Sequence, residues 1–468
     1  MSFRTRIVSA VLVMAFMGGL IWVAASGRTL GSDDGDGGSL FAAGRTTINL
    51  WYADAALTDY LNEVAVAYNE SQSRCRIEPS LRSGVEYLEA ISRASVEADR
   101  DMPDVYVISN DALEKAVLAG LAAPVDDSAA FENTETYPQT AIDAVTCHDA
   151  VYGYPFYFET AALLYNKEYV AAAQAAEEDA EEDAGEESGS SAELPSTILD
   201  IIQFAGGYDA PEGVSSVFTW DVGDIFYNYY FVGNMIDVGG PCGDDSSRID
   251  IYNAPAIRSL QVYQQLNQFF SIDTKSVSYE SVLSDFIAGG LVFTVATSDA
   301  VQTIAAAKAD GSFTGDYGVL QLPDISDDLQ TRGLSVTSCL VVNGYSEEQT
   351  EANRFIRYLL YEKSEDFFPR TGKPLAQNGC RYPDEHMDGF FSAYADSVPI
   401  SKMRATSNFW MLLENAFSEI WDGADPNAAL KALYEQTMIQ ITGNDGFSVP
   451  ALEDPEKIDI NAELSGGE

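Results

Sequence analysis

Carboxylates and aromatic rings are the chemically capable side chains that this sequence holds in quantity. It has 73 Asp and Glu, 25 Tyr, 23 Phe and 5 Trp, against two His and five Cys. Several stand in short groups: Trp51-Tyr52 with Asp54, Asn110-Asp111, and Trp220 with Tyr227 a few residues on. Ring faces beside carboxylate and amide oxygens suit a ligand with apolar C–H faces edged by hydroxyls, because buried hydroxyls without partners are costly. Glycosidases also use paired carboxylates and aromatic walls. No local motif here marks a nucleophile, a glycine-rich phosphate loop or a metal triad. The reading is a binding protein, not an enzyme, with no cofactor.

The remaining reactive types are sparse. His148 and His386 read as ordinary surface residues, too few for a His-based triad. Cys75, Cys147, Cys242, Cys339 and Cys380 are far apart, and no pair has metal-ligand spacing, so no metal site is expected. An oxidising compartment would allow one disulfide, and the odd count leaves a free thiol. The formal net charge of -47 repels nucleic acids and anionic headgroups, so nucleic-acid partners are excluded. Acidic media or salt adaptation do not follow from composition alone.

A chain of 468 residues exceeds one ordinary core and calls for two domains. Arg4 and Arg6 precede an apolar run from Ile7 to Ala25, then a Gly- and Asp-rich stretch from Gly27 to Ser39. This is the layout of a secretion signal, with Ser26/Gly27 as a cleavage point, or of an uncleaved membrane anchor. Either sends the remainder outward. No Cys near the end of the run is available for lipid attachment.

The elements that must position the acids and rings alternate. Thr47 to Trp51 reads as a strand. Leu57, Leu61, Val64 and Tyr68 make a helical stripe, and Asp104 to Ile108 reads as a buried strand before a helix ending at Gly120. Strand–helix alternation predicts α/β domains with a largely parallel sheet and ligands beyond the strand C-termini. Trp51, Tyr52, Asp54, Asn110 and Asp111 fall there. Ala171 to Ala192 is an acidic, alanine-rich stretch, expected as a solvated insertion, helical at first. Leu334 to Val342 reads as one long strand or a pair, and Phe409 to Trp421 as a helix.

Five motifs in order then resemble the extracellular solute-binding proteins of family 1, the maltose-binding class of ABC-importer receptors. They are Trp51 with Asp54; Met102-Pro103-Asp104-Val105 followed by Asn110-Asp111 and Ala119-Gly120-Leu121; Tyr152-Gly153-Tyr154-Pro155 with Glu159 and Leu164-Tyr165-Asn166-Lys167; Ala288 to Phe293; and Ser407-Asn408-Phe409-Trp410. The resemblance covers about Thr47 to Gly443. It implies a two-lobed, type II periplasmic-binding-protein-like α/β fold with a hinge. Lobe 1 would take 46–158 and 323–372, lobe 2 would take 159–322 and 373–446, and 447–468 would be a peripheral acidic tail. The crossings would fall near Phe158-Glu159, Leu322-Pro323 and Lys373-Pro374.

The resemblance also implies a monomeric receptor that is secreted, periplasmic or anchored at the cell surface. It would hand a sugar, with maltose or a malto-oligosaccharide the best single guess, to ABC permease transmembrane subunits. By family position Asp54, Asp111 and Glu159 would accept ligand hydroxyls and Trp410 would stack on a sugar. The chain departs from the pattern where maltose-binding relatives have Gly-Pro-Trp. Here Thr297-Ser298-Asp299 stands, so a stacking ring is replaced by the hydrogen-bonding Asp299. The strand ending at Ile108 also lacks their Trp. A non-sugar solute, a glycoside-acting enzyme and a ligand-free adhesin remain the alternatives.

Overall fold

The computed structural model describes residues 45–461 except 83, 85, 127–130, 132–133, 185–193 and 327, and the backbone alone for 177–184. The apolar run at Ile7 to Ala25 and the second half of the acidic insertion lie outside the described residues. No described helix is long and apolar enough to cross a membrane. The folded unit considered below is Thr46–Glu468.

Its strands are β1 (Thr46–Tyr52), β2 (Cys75–Leu81), β3 (Val105–Ser109), β4 (Thr146–Cys147), β5 (Ala150–Val151), β6 (Tyr154–Asn166), β7 (Ser216–Phe218), β8 (Asp237–Val238), β9 (Ile249–Asp250), β10 (Leu291–Thr297), β11 (Tyr317–Leu320), β12 (Leu334–Val342) and β13 (Val398–Pro399). Among the described residues, seven run side by side in the order β2-β1-β3-β12-β6-β10-β7, with β11 also on β6 and β13 also on β12. β4–β5 and β8–β9 are separate hairpins.

The largely parallel sheet expected from the alternation is instead mixed. β1 runs parallel to β2 and β3, and β10 parallel to β7, but β12 is antiparallel to β3 and β6, and β6 antiparallel to β10 and β11. The cause is the two long strands that leave one lobe for the other and so run against their neighbours. β6 pairs with β12 up to Thr160 and with β10 from Ala161 on.

Hydrophobic packing divides along the same line. One core joins β1, β2 and β3 to Phe156, Phe158, Cys339 to Val342 and the helix Gln349–Glu362. It is fed by the stripe Leu61, Val64, Ala65 and Tyr68 of the helix Thr58–Ser71, the 3.6-residue periodicity seen in the sequence. Two further cores belong to the other lobe. One is built around Trp220, Tyr263, Phe417 and Trp421, the other around Leu164, Phe286, Tyr317 and Phe390.

Packing differs from the expected crossings in places. Ile325, Leu329 and Leu334 pack in the lobe 2 core, so along β12 the change of lobe falls between Leu334 and Cys339 rather than at Leu322-Pro323. After Lys373, Leu375, Ala376 and Tyr394 still pack with lobe 1, while Met387 and Phe390 pack with lobe 2. Part of the C-terminal stretch is docked rather than peripheral. Ile458 and Ile460 are buried in the lobe 2 core, and Gln265 donates to the Ile458 carbonyl at 2.9 Å. Two well-placed isoleucines decide this; average acidity does not.

Candidate functional site

β1 and β3 run parallel, so both deliver their C-terminal ends to one edge of lobe 1. Asp54 follows β1 and Asp111 follows β3. Each starts a turn: the Asp54 Oδ1 accepts the Ala56 N–H at 2.9 Å, and the Ser109 hydroxyl donates to Asp111. Facing them from lobe 2 is the helix Phe409–Trp421. Its buried stripe is Phe409, Leu413, Ala416, Phe417 and Ile420. Trp410 stands about 100° off that stripe and is therefore only half-buried, its ring edge-on to Phe409 at 5.2 Å and tilted on Tyr229 at 5.6 Å. Asp54, Asp111, Tyr157 and Trp410 line a common cavity of about 730 Å³, with Lys402 and Arg404 on its wall.

Asp54 extends the site toward the hinge. Its Oδ2 lies 3.1 Å from Lys373 Nζ and 3.5 Å from the Tyr157 hydroxyl, and the Lys373 ammonium sits 5.5 Å from the Tyr157 ring centre. Glu159, on β6, is open to solvent along the cleft, yet the surrounding walls desolvate it. That desolvation holds its carboxyl above the usual carboxylate range. Lys373 offsets part of the effect, and Asp299 and Asp54 add to it. Asp299 is exposed and accepts from the Tyr279 hydroxyl at 3.0 Å and from Thr297. Tyr279 stacks on Tyr227 at 5.0 Å with 14° between the rings. The Asp221 carboxylate fixes the Tyr279 backbone N–H at 3.0 Å.

Asp54, Asp111, Glu159, Asp299 and Trp410 thus face one cleft region, and Tyr227 stands buried behind it with its ring on Tyr279. The other expected residues do not. Trp220 is fully buried; its indole N–H donates to Asn228 Oδ1 at 2.9 Å and its ring lies edge-on to Trp421 at 5.5 Å. Tyr52 is buried in lobe 1. Trp51 is also core, capped by the Arg82 guanidinium 4.7 Å from its ring centre. Asn110 is fully buried and serves as a clamp: its Nδ2 donates to the Ile400 carbonyl at 2.9 Å, and its Oδ1 accepts the Thr337 N–H at 2.9 Å. These four are corrections. Trp51 and Tyr52 end β1 still inside the sheet, Asn110 opens the turn after β3 with its side chain bonded inward, and Trp220 follows β7 but turns inward.

Sequence reasoning missed Lys373, Tyr157 and Tyr279. Lys373 had one signal, its place before Pro374 at an expected crossing. Tyr279 had another, since Ser278 caps its helix. His386 is no surface residue either: its ring is stacked on Tyr317 at 3.8 Å and bonded to the Tyr317 carbonyl at 2.7 Å.

Solved structures share this architecture. A cyclo/maltodextrin-binding protein complexed with maltotetraose is similar at a TM-score of 0.69 and 18% identity, over 87% of this chain and 100% of that one. An extracellular solute-binding protein from Staphylococcus aureus in complex with maltose gives 0.70 and 16%, over 85% and 97%. The GacH receptor of Streptomyces glaucescens, known unliganded and with acarbose, gives 0.64 and 15%, over 86% and 99%. Identities this low carry the fold alone. No curated protein matches. The model of the bacterial extracellular solute-binding protein family matches residues 54–365, about two thirds of the sequence, with Asp54, Asp111, Glu159 and Asp299 inside the match and Lys373 and Trp410 beyond it. With its two lobes, crossing strands and interlobe cleft, this chain belongs to the bacterial extracellular solute-binding protein family, the receptors of ABC importers.

Proposed function

We propose that this receptor captures a sugar or oligosaccharide outside the cytoplasm, closes its lobes on it and presents it to a membrane permease, with maltose or a malto-oligosaccharide the best single guess. The observation that carries the reading is the cavity itself. It brings a half-buried indole from lobe 2 against carboxylates from lobe 1, in about 730 Å³. An indole face covers the apolar C–H side of a pyranose, and Asp54, Asp111, Glu159 and Asp299 supply acceptors for its hydroxyls. A ligand touching both lobes favours the closed form by its differential affinity for it. Proteins of similar fold solved with maltotetraose and with maltose support a sugar as the ligand class. The N-terminal segment, as signal or anchor, would send the receptor out of the cytoplasm, secreted, periplasmic or anchored at the cell surface.

Calorimetry of the purified protein with maltose, maltotriose, cyclodextrin and unrelated sugars tests this. Saturable binding of one of them, lost in Trp410→Ala, is the expected outcome. Silence across all sugars in folded protein rejects it. One observation favours a second reading, an amine-bearing solute: Glu159 feels the carboxylates of Asp299 and Asp54 as well as the ammonium of Lys373, which is paired with Asp54. In that case amino sugars or polyamines bind where neutral sugars do not.

A further inference from the structure

Away from the cleft, the two lobes meet at a second polar cluster. The β4–β5 hairpin of lobe 1 turns at His148 and Asp149, both at positive φ (49° and 66°). A two-residue hairpin loop of type I′ requires positive φ at both central residues, so the turn is tight and its backbone is fixed. The turn presents Cys147, which is buried, and His148, which is exposed. From lobe 2, the loop between β8 and β9 brings Asp244, whose Oδ2 accepts the His148 N–H at 2.6 Å. The Cys147 sulfur, a His148 ring nitrogen and an Asp244 carboxylate oxygen all lie within 4.8 Å of one another. Glu114 stands behind: its Oε1 is 3.7 Å from His148 Nε2, and its Oε2 is held by the Arg404 N–H at 2.6 Å. A crevice of about 460 Å³ lined by Glu114, His148 and Asp244 gives access.

We propose that Cys147, His148 and Asp244 form a binding site for a zinc-like divalent cation that joins the two lobes. Sulfur, imidazole and carboxylate together are a zinc donor set, with a fourth position left for water. Glu114 Oε1, 3.7 Å from His148 Nε2, is a further carboxylate beside the histidine, near enough to support it when a metal is bound. Charge supports the assignment. Glu114, Asp244 and a Cys147 thiolate carry three negative charges, and the cations nearby are Arg404, on the crevice wall, and Lys402, whose ammonium is already bonded to the carbonyls of Asp143 at 2.8 Å, Thr146 at 2.7 Å and Cys242. The cluster keeps a net negative charge, which favours a cation. Binding displaces one proton, from the Cys147 thiol to solvent, and needs no oxidant. Hairpin neighbours Val145 and Val151 pack with the lobe 1 core, whereas Val238 beside the Asp244 loop packs in lobe 2, so the bound ion acts as a tie across the lobe junction.

The test is titration of the reduced full chain with Co2+, followed by displacement with Zn2+. A thiolate-to-cobalt charge-transfer band should appear, and Zn2+ should remove it. Cys147→Ser should abolish the band. Asp244→Asn, and His148→Asn, which tolerates the positive φ, should weaken the ion at least about tenfold, and Glu114→Gln about tenfold. Zn2+ should raise the melting temperature of the parent protein and not that of His148→Asn; because this variant keeps the fold, the test survives any folding loss in Cys147→Ser. Absence of the band in the reduced parent, or a band that persists in Cys147→Ser, overturns the proposal. So does protein from the native host whose mass, two hydrogens short, maps to a Cys147–Cys242 disulfide.

Discussion

Lobe 2 holds two groups of aromatic rings with similar composition and opposite roles. Around Trp220, the rings of Phe218, Phe270 and Trp421 pack at 4.6 to 6.2 Å with no open face. In the other group Trp410 lines the cleft, and the Tyr227–Tyr279 pair stands beside the Asp299 carboxylate. The first group satisfies its polar atoms internally: Trp220 through Asn228, and Trp421 through the Ile272 carbonyl at 2.9 Å. In the second, Tyr279 turns its hydroxyl to an exposed carboxylate, and Trp410 leaves part of its side chain uncovered. Aromatic content therefore says nothing about role; the partner of the polar tip and the open face of the ring do.

The largest expected effect breaks the pair apart. Trp220→Ala should cost about 3–5 kcal/mol of folding stability, because it empties a fully buried site. Affinity of whatever stays folded should be unchanged. Trp410→Ala should melt close to the parent protein yet lose about 2 kcal/mol or more of ligand affinity, with Trp410→Phe recovering part. Denaturant melts and calorimetry on both variants decide it. A Trp410→Ala protein that unfolds as readily as Trp220→Ala and binds normally would merge the two groups into one core.

Next in size is the acid on the cleft wall. With its pKa held above the usual carboxylate range, Glu159 takes up a proton at higher pH than an ordinary Glu. Its two signs are opposed. Folding disfavours its charged form, so its contribution to stability improves as pH falls through the raised value. An ionised acceptor for ligand hydroxyls is lost over the same interval, so affinity should fall there. Glu159→Gln should weaken binding by about 1–2 kcal/mol and flatten the pH dependence of affinity. An unchanged profile in the variant would remove Glu159 from the ligand's contacts.

The smallest effect belongs to a carboxylate outside both groups. Burial alone would raise Asp316, but hydrogen bonds from Lys167 at 2.8 Å and Lys308 at 2.9 Å outweigh it and hold the carboxyl well below the usual range. Its stabilisation is present above the unfolded-state pKa and lost as pH falls through the folded one. Asp316 is about half exposed, so Lys308→Met should cost under about 1 kcal/mol. A melt in acid and in high salt should shrink that difference. A cost that persists in salt would mean the pair is less solvated than its exposure indicates.

By itself the sequence determined what rests on local pattern: the helical stripe of Leu61, Val64 and Tyr68, the buried strand at Val105 to Ile108, the turn to lobe 2 along β6, and an order of motifs specific enough to resemble its family. It also put Asp54 and Asp111 at strand ends and singled out Trp410. It left undecided which way Trp51, Tyr52, Asn110 and Trp220 turn, because a residue just past a strand can face cleft or core with the same spacing. It gave no sign that Lys373 reaches Asp54, about 320 positions away, or that Asp244 meets Cys147 and His148 across the lobe junction. Only tertiary structure decided those, for a physical reason. Side-chain contacts between distant segments depend on how two lobes pack and on where long strands change partners, and no local periodicity encodes that.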